Sequence, residues 1–299
     1  MIFLPEKYII VTMKDGQERL FCDLHTHSFY SDGTFTPAEI VEQAEKQGLF
    51  AVALTDHNTV AGLPEFMEAA KDKQVKAVAG IEISTDYGEI ELHVLALFLQ
   101  PSAYKRVEEL LEEMTRRRIE SNRQMLTRLN ASGFDVSYEE IKKRTQAKAF
   151  NRAHVGAVMT EKGYTTSIAD AFDRYLAVGK GYYIGPKRLS VFEVISFIKE
   201  IGAKAVLAHP LLQLTEAELR ELLPKAIACG LDGMETMYSG YSAEMIEKSR
   251  ALAKEFGLKE SGGSDFHGEN RPGVSLGVGR GSLAIPKVFF EDLAGACTR

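Results

Sequence analysis

Short apolar runs alternate with amphipathic stretches from residue 21 to about residue 100. "LFCDLH" reads as a strand and "TPAEIVEQAEKQG" as a helix, with Thr36 as N-cap, Pro37 in the first turn, Glu39 at N3 and Gly48 closing the end. "LFAVALTD" is apolar on both faces, the pattern of a parallel strand covered by helices. "LPEFMEAAKDK" returns to helix, and "VKAVAGIEIS" and "IELHVLALFL" return to strand. The rhythm resumes after residue 190 with the helix "SVFEVISFIKEIG" and the strand "AKAVLAHP". Next come the helix "TEAELRELLPKAIACG", with a break expected at Pro224, and the strand "LDGMETMY". A final unit pairs the helix "SAEMIEKSRALAKEFG" with "LKESGGSDFHG", a strand running into a glycine turn. At least seven strands in repeated β-α units predict an α/β barrel.

Residues 101–188 break this rhythm. One long helical pattern, "PSAYKRVEELLEEMTRRRIESNRQMLTRLNASG", precedes three shorter helical pieces and a single expected strand, "VGKGYYIG". The organisation expected is a barrel over 20–100 and 189–299, an inserted helical domain over 101–188 and an N-terminal extension over 1–19.

A formal charge of −6 argues against a general, charge-driven nucleic-acid or membrane binder, and bound divalent cations would offset it. Cys22, Cys229 and Cys297 are far apart and form no CxxC, so neither a disulfide framework nor a thiolate zinc site is indicated. A reducing, cytoplasmic location is expected, since no apolar run reaches the length of a membrane span.

The chemistry lies in the histidines. Of seven, His25, His27, His57, His93, His209 and His267 stand at or near the carboxyl ends of expected strands, and His154 lies in the insertion. In a parallel barrel those ends form one rim. His25 and His27 are two apart, so on a strand both face one side. Asp32, Glu82 and Asp265 add oxygen ligands, and imidazole with carboxylate suits Zn²⁺, Mn²⁺ or Fe²⁺. Singly each has an ordinary reading: "SDG" as a turn, "GIEIS" as a strand with one exposed Glu, His93 as a core histidine. Jointly they point to a metal site.

"DLHTHSFYSDG", "LTDHNT", "GIEIS", "ELHVLAL", "AHP" and "GGSDFHG", in this order, resemble the PHP (polymerase and histidinol phosphatase) family. The resemblance implies a distorted (β/α)7 barrel holding two to three divalent ions (Mn, Fe or Zn). By motif, His25, His27, Glu82 and Asp265 hold the first ion. Glu82 bridges to a second, completed by His93 and His209, and Asp32, His57 and His267 hold the third. "NRAHVGAVMTEKGY" and "AFDRYLAVGKGYYIG" are similar to the stand-alone nucleotide phosphoesterases of that family. In these an Arg-Pro-His sequence faces the substrate phosphate, and here Arg152-Ala153-His154 stands in its place.

The resemblance therefore implies a metal-dependent hydrolase using metal-activated hydroxide. The substrate it implies is a small phosphorylated nucleotide, such as a 3′,5′-bisphosphonucleotide losing its 3′-phosphate, or a short RNA trimmed 5′ to 3′ by exoribonuclease action. His154 either protonates the leaving oxygen or binds phosphate. Lys180 is either a second phosphate contact or an exposed loop lysine. Tyr182 or Tyr183 either stacks on a base or simply packs. Arg116, Arg117, Arg118 and Arg123 form either a solvated helix face or an electropositive wall. No membrane and no stable protein partner is expected. Histidinol-phosphate phosphatases usually carry a histidine where this chain has Asp32, and an amidohydrolase would show a different later ligand order. A non-catalytic PHP module would lack a ligand, and none is missing.

Overall fold

The strand Ala51–Leu54 is buried at all four positions, and such a strand needs cover on both faces. In the computed structural model, which describes residues 19–143, 150–185 and 188–295, it is one of eight strands in a single sheet. They are β1 (Phe21–Asp23), β2 (Ala51–Leu54), β3 (Lys76–Tyr87), β4 (Ile90–Leu97), β5 (Lys204–Ala208), β6 (Gly233–Tyr238), β7 (Lys259–Gly263) and β8 (Ile285–Pro286). Their order is β7-β6-β5-β4-β3-β2-β1-β8.

The chain at β1 and the loop after it then meets β7 and the loop that follows it. Leu24 N–H donates to Gly262 O (3.1 Å), His27 N–H to Phe266 O (2.9 Å) and Asp265 N–H to His25 O (2.9 Å). The buried Asp23 carboxylate accepts from Ser264 N (2.9 Å) and Gly277 N (2.7 Å), stitching the same seam. The sheet thus curls almost into a barrel. Leu24, Ala53, Val78, Leu95 and Val206 form its core with Phe289 and Leu293.

Around it run α1 (Pro37–Lys46), α2 (Leu63–Ala69) and the start of α3 (Tyr104–Ala131). The insertion holds α4 (Tyr138–Lys142), α5 (Arg152–Glu161) and α6 (Ile168–Ala171). The barrel resumes with α7 (Val191–Glu200), α8 (Glu216–Cys229), α9 (Ala243–Phe256) and α10 (Lys287–Ala294). α1 has the expected capping box between Thr36 and Glu39. The chain divides into two compact units, one running to Glu108 and resuming at Leu189, the other being Glu109–Arg188. The second unit has its own core, built on Met125, Leu129, Phe150, Val155, Val158 and Leu176.

Three expectations are corrected. β4 pairs antiparallel with both β3 and β5, so His93 lies inside a strand that runs against its neighbours, not at a carboxyl end. Residues 178–185 of "VGKGYYIG" form turns and irregular backbone, with positive φ at Gly179 and Gly181, where a regular strand would need extended angles. α8 passes through Pro224 without ending, held by a Thr215–Glu218 capping box and by buried Leu219, Leu222, Leu223 and Ala226. Residues 1–18 of the N-terminal extension and Cys297 lie outside the described residues.

The seam explains one glycine. A Cβ on Gly263 would overlap the His25 side chain and stand 2.7 Å from the His25 nitrogen. Gly263→Ala is therefore expected to cost about 3 kcal/mol, the upper range for overpacking, which denaturant unfolding measures. Wild-type stability would contradict the close β1–β7 approach.

Candidate metal centre

Six strands deliver side chains to one rim. His25 and His27 follow β1 and are fully buried. Asp32 sits in the turn after them, where Gly33 N–H bonds Ser28 O (2.9 Å) and Asn270 donates to Asp32 O (2.9 Å). His57 follows β2 and forms a parallel bridge with Glu82 of β3. β3 continues past Glu82 into a hairpin, and the antiparallel β4 brings His93 back to the same place. His209 follows β5, and Asp265 and His267 follow β7. His209 (φ 30°) and Asp265 (φ 54°) are left-handed without being glycine, backbone strain of the kind that collects at functional sites.

Glu82 is the hub. Its Oε2 lies 3.2 Å from His25 Nε2, 3.2 Å from His27 Nε2 and 3.1 Å from His57 Nδ1. Its Oε1 lies 2.7 Å from His93 Nδ1 and 3.1 Å from His209 Nε2. Asp265 Oδ1 is 3.1 Å from His27 Nε2, and Asp32 Oδ1 is 3.2 Å from His267 Nε2. Four overlapping groups have ligand atoms within 4.8 Å of one another. They are His27, Asp32, His57 and His267; His25, Glu82 and His209; His25, His27 and Asp265; and His57, Glu82 and His93.

These residues fit divalent cations. His27 Nδ1, Glu82 Oε2 and Asp265 Oδ1 are buried without a hydrogen-bond partner, although buried polar atoms are nearly always satisfied. The titration pattern agrees. Burial alone would lower the His25 ring, but Glu235, Glu82 and Asp265 outweigh it and hold it well above the ordinary value. In His27 burial is outweighed by Asp265 and Glu82, which raise it to about 9, and in His93 by Glu82 and Glu91, also to about 9. Glu82 and Asp265 are held well below ordinary carboxylates, the neighbouring histidines outweighing their burial. His57 alone is pushed down by burial, to about 4. A field that draws protons onto buried rings is a field that draws cations.

All nine barrel residues singled out in the sequence come together at this rim. The other three lie in the insertion. Arg152 opens α5, donates to Leu176 O (3.0 Å) and stacks on the Tyr183 ring at 4.1 Å. His154 Nδ1 accepts from Asn151 N–H (3.3 Å), so its neutral ring carries the proton on Nε2. Lys180 is exposed between Gly179 and Gly181. Tyr182 packs in an aromatic cluster with Phe134 and Tyr175.

Residues 23–187 match the sequence profile of the PHP domain. The chain belongs to the PHP domain family. Among PHP relatives, a 5′-3′ exoribonuclease of Haemophilus influenzae is 32% identical over 82% of this chain and 89% of its own. A 3′,5′-nucleoside bisphosphate phosphatase of Chromobacterium violaceum is 29% identical over 93% of this chain and 98% of its own. A Bifidobacterium adolescentis structure assigned to the metal-dependent phosphoesterases superposes with a TM-score of 0.68 at 29% identity, covering 91% of this chain and 95% of that one.

Sequence reading of this PHP chain missed Glu235, Tyr238 and Arg271. Tyr238 donates to Asp265 Oδ2 (2.8 Å), and Arg271 pairs with the same oxygen. The only available signal was a glutamate inside an otherwise apolar strand, "GMETMY".

The metal-free chain should show a matching pH dependence. His27 and His93 titrate at about 9 when folded, against 6.5 ordinarily. Their stabilisation is complete below about pH 6.5 and is lost as pH rises toward about 9. Glu82, Asp265 and the depressed His57 act oppositely, losing stability as pH falls. The melting temperature of chelator-treated protein is expected to peak near pH 6.5, to fall by several degrees toward pH 9 and to recover there with Zn²⁺. A flat profile above pH 6.5 would contradict the cluster's electrostatics.

Proposed function

We propose that this chain hydrolyses nucleotide phosphates, removing the 3′-phosphate of a 3′,5′-bisphosphonucleotide and/or trimming short RNA from its 5′ end, with His25, His27, Asp32, His57, Glu82, His93, His209, Asp265 and His267 holding two to three divalent ions. The observation that carries this reading is the chain of overlap among four ligand groups, two of them sharing the buried carboxylate of Glu82 and the others joined through His25, His27 and His57. Ligand groups that share residues would hold their cations as neighbours, and paired cations can clamp a phosphate ester. When bound, such ions polarise phosphate oxygens and lower the pKa of water. The names of the two relatives described above support the nucleotide class.

The chain's own groups do the rest. Glu82 and Asp265 keep their charge at all working pH values and so face cations as anions. Asp32 is held at about 2, its burial outweighed by His267, His57 and His27, and is therefore ionised throughout. His57, at about 4, stays neutral at pH 7 and presents a lone pair. Arg152 binds a substrate phosphate through a guanidinium already oriented by Leu176 O and the Tyr183 ring. His154 presents Nε2–H to a phosphate or leaving-group oxygen. Lys180 is the more exposed, secondary contact.

Hydrolysis with Mn²⁺ present, read as phosphate release from a 3′,5′-bisphosphonucleotide, a 5′-monophosphate and histidinol phosphate and as mononucleotide release from a 5′-phosphorylated RNA pentamer, tests the substrate class. The bisphosphonucleotide and the RNA are expected to turn over fastest, and preference for histidinol phosphate would contradict it. His25→Ala and Asp265→Ala should abolish turnover. Arg152→Ala should raise KM roughly tenfold or more, the scale of one charge-assisted hydrogen bond, with a smaller change in kcat.

A further inference from the structure

Strand β6 supplies none of the candidate ligands, yet two of its side chains hold three of them. Glu235 is completely buried. Its Oε1 lies 3.0 Å from His25 Nδ1, and its Oε2 accepts the backbone N–H of His209 at 2.8 Å. Tyr238 donates its hydroxyl to Asp265 Oδ2, leaving Oδ1 facing His27. Residues three apart on a regular strand point to opposite faces. Here both face the cluster because β6 is irregular between Glu235 and Met237: Glu235 pairs with Ser261, whereas Met237 pairs with the very next residue, Gly262. A bulge that re-aims a side chain beside a functional site is a recurring device.

The geometry of Glu235 has a definite chemical consequence. Both of its oxygens are occupied, one by the ring of His25 and one by the backbone that puts His209 at φ 30°. A carboxylate only accepts, so His25 keeps a proton on Nδ1, and Nε2, 3.2 Å from Glu82, is the nitrogen it would offer to a cation. His209 Nε2 reaches Glu82 from the other side at 3.1 Å. His25, Glu82 and His209 together form one candidate cation group.

We propose that β6 is the positioning strand of the metal centre, with Glu235 setting metal affinity through the two candidate ligands it holds, His25 and His209. The proposal rests on the metal-binding reading above. Glutamine at 235 matches the shape but offers one acceptor for two donors. Its amide N–H then opposes either the His209 N–H or the His25 Nδ1–H.

The test is Zn²⁺ titration calorimetry on the metal-stripped full chain, comparing wild type, Glu235→Gln and Tyr238→Phe. Glu235→Gln should bind one ion about 10- to 100-fold more weakly, the usual effect of losing a partner behind a ligand histidine. Its metal-free circular dichroism should be unchanged. Tyr238→Phe should weaken binding less, because Arg271 still pairs with Asp265. Wild-type Zn²⁺ affinity in Glu235→Gln would overturn the proposal. If that variant does not fold, ¹⁵N imidazole spectra of the Zn²⁺-loaded wild type decide. Nδ1–H on His25 supports the positioning role, and Nε2–H overturns it. A wild type that binds no Zn²⁺, Mn²⁺ or Fe²⁺ overturns the metal reading and this proposal with it, whereas full wild-type binding with an unaffected variant overturns this proposal alone.

Discussion

Glu82 has no access to water and stands within 3.2 Å of ring nitrogens from five histidines. A buried carboxylate is costly unless it is paired and hydrogen-bonded, and breaking such a pairing strands a charge in the interior. Much of the barrel's local geometry serves this one group. β3 runs past it before turning, β4 doubles back to supply His93, and His209 and Asp265 take left-handed backbone angles to face it. The atoms left without partners, on His27, Glu82 and Asp265, point to a cation as the remaining participant.

The fold makes this arrangement possible through one departure from a regular barrel. Strands running parallel deliver ligands only from the loops that follow them, which accounts for His25, His27, His57, His209 and His267. Glu82 and His93 instead sit inside paired strands of an antiparallel hairpin. Their side chains therefore rest on sheet hydrogen bonds rather than loop conformation. Glu82, the residue shared by two ligand groups, is thereby placed by sheet pairing.

Much of this was readable along the chain because the signals are local. The Thr36–Glu39 capping box and the apolar β2 run each need only a few neighbouring residues. The nine barrel site residues stood out jointly, because six histidines and three carboxylates recur in or beside apolar runs. What stayed hidden depends on contacts distant in sequence. An apolar run does not encode strand direction, so β4 was read as parallel to its neighbours. Pro224 costs a hydrogen bond locally, and only tertiary packing of α8 shows that the helix survives it. Glu235 and Tyr238 are three apart, a spacing that argues against a shared face until the irregularity of β6 is seen.

The central claim is that the rim around Glu82 is a metal centre. Anomalous diffraction from crystals grown with Mn²⁺ or Zn²⁺ tests it most directly. At least two anomalous peaks are expected, one within bonding distance of His25, His27, Glu82 and Asp265 and another of Glu82, His93 and His209, about 2.0–2.2 Å for nitrogen and oxygen ligands of zinc. Anomalous peaks only at surface carboxylates, with the Glu82 rim empty in metal-saturated crystals, would contradict the account.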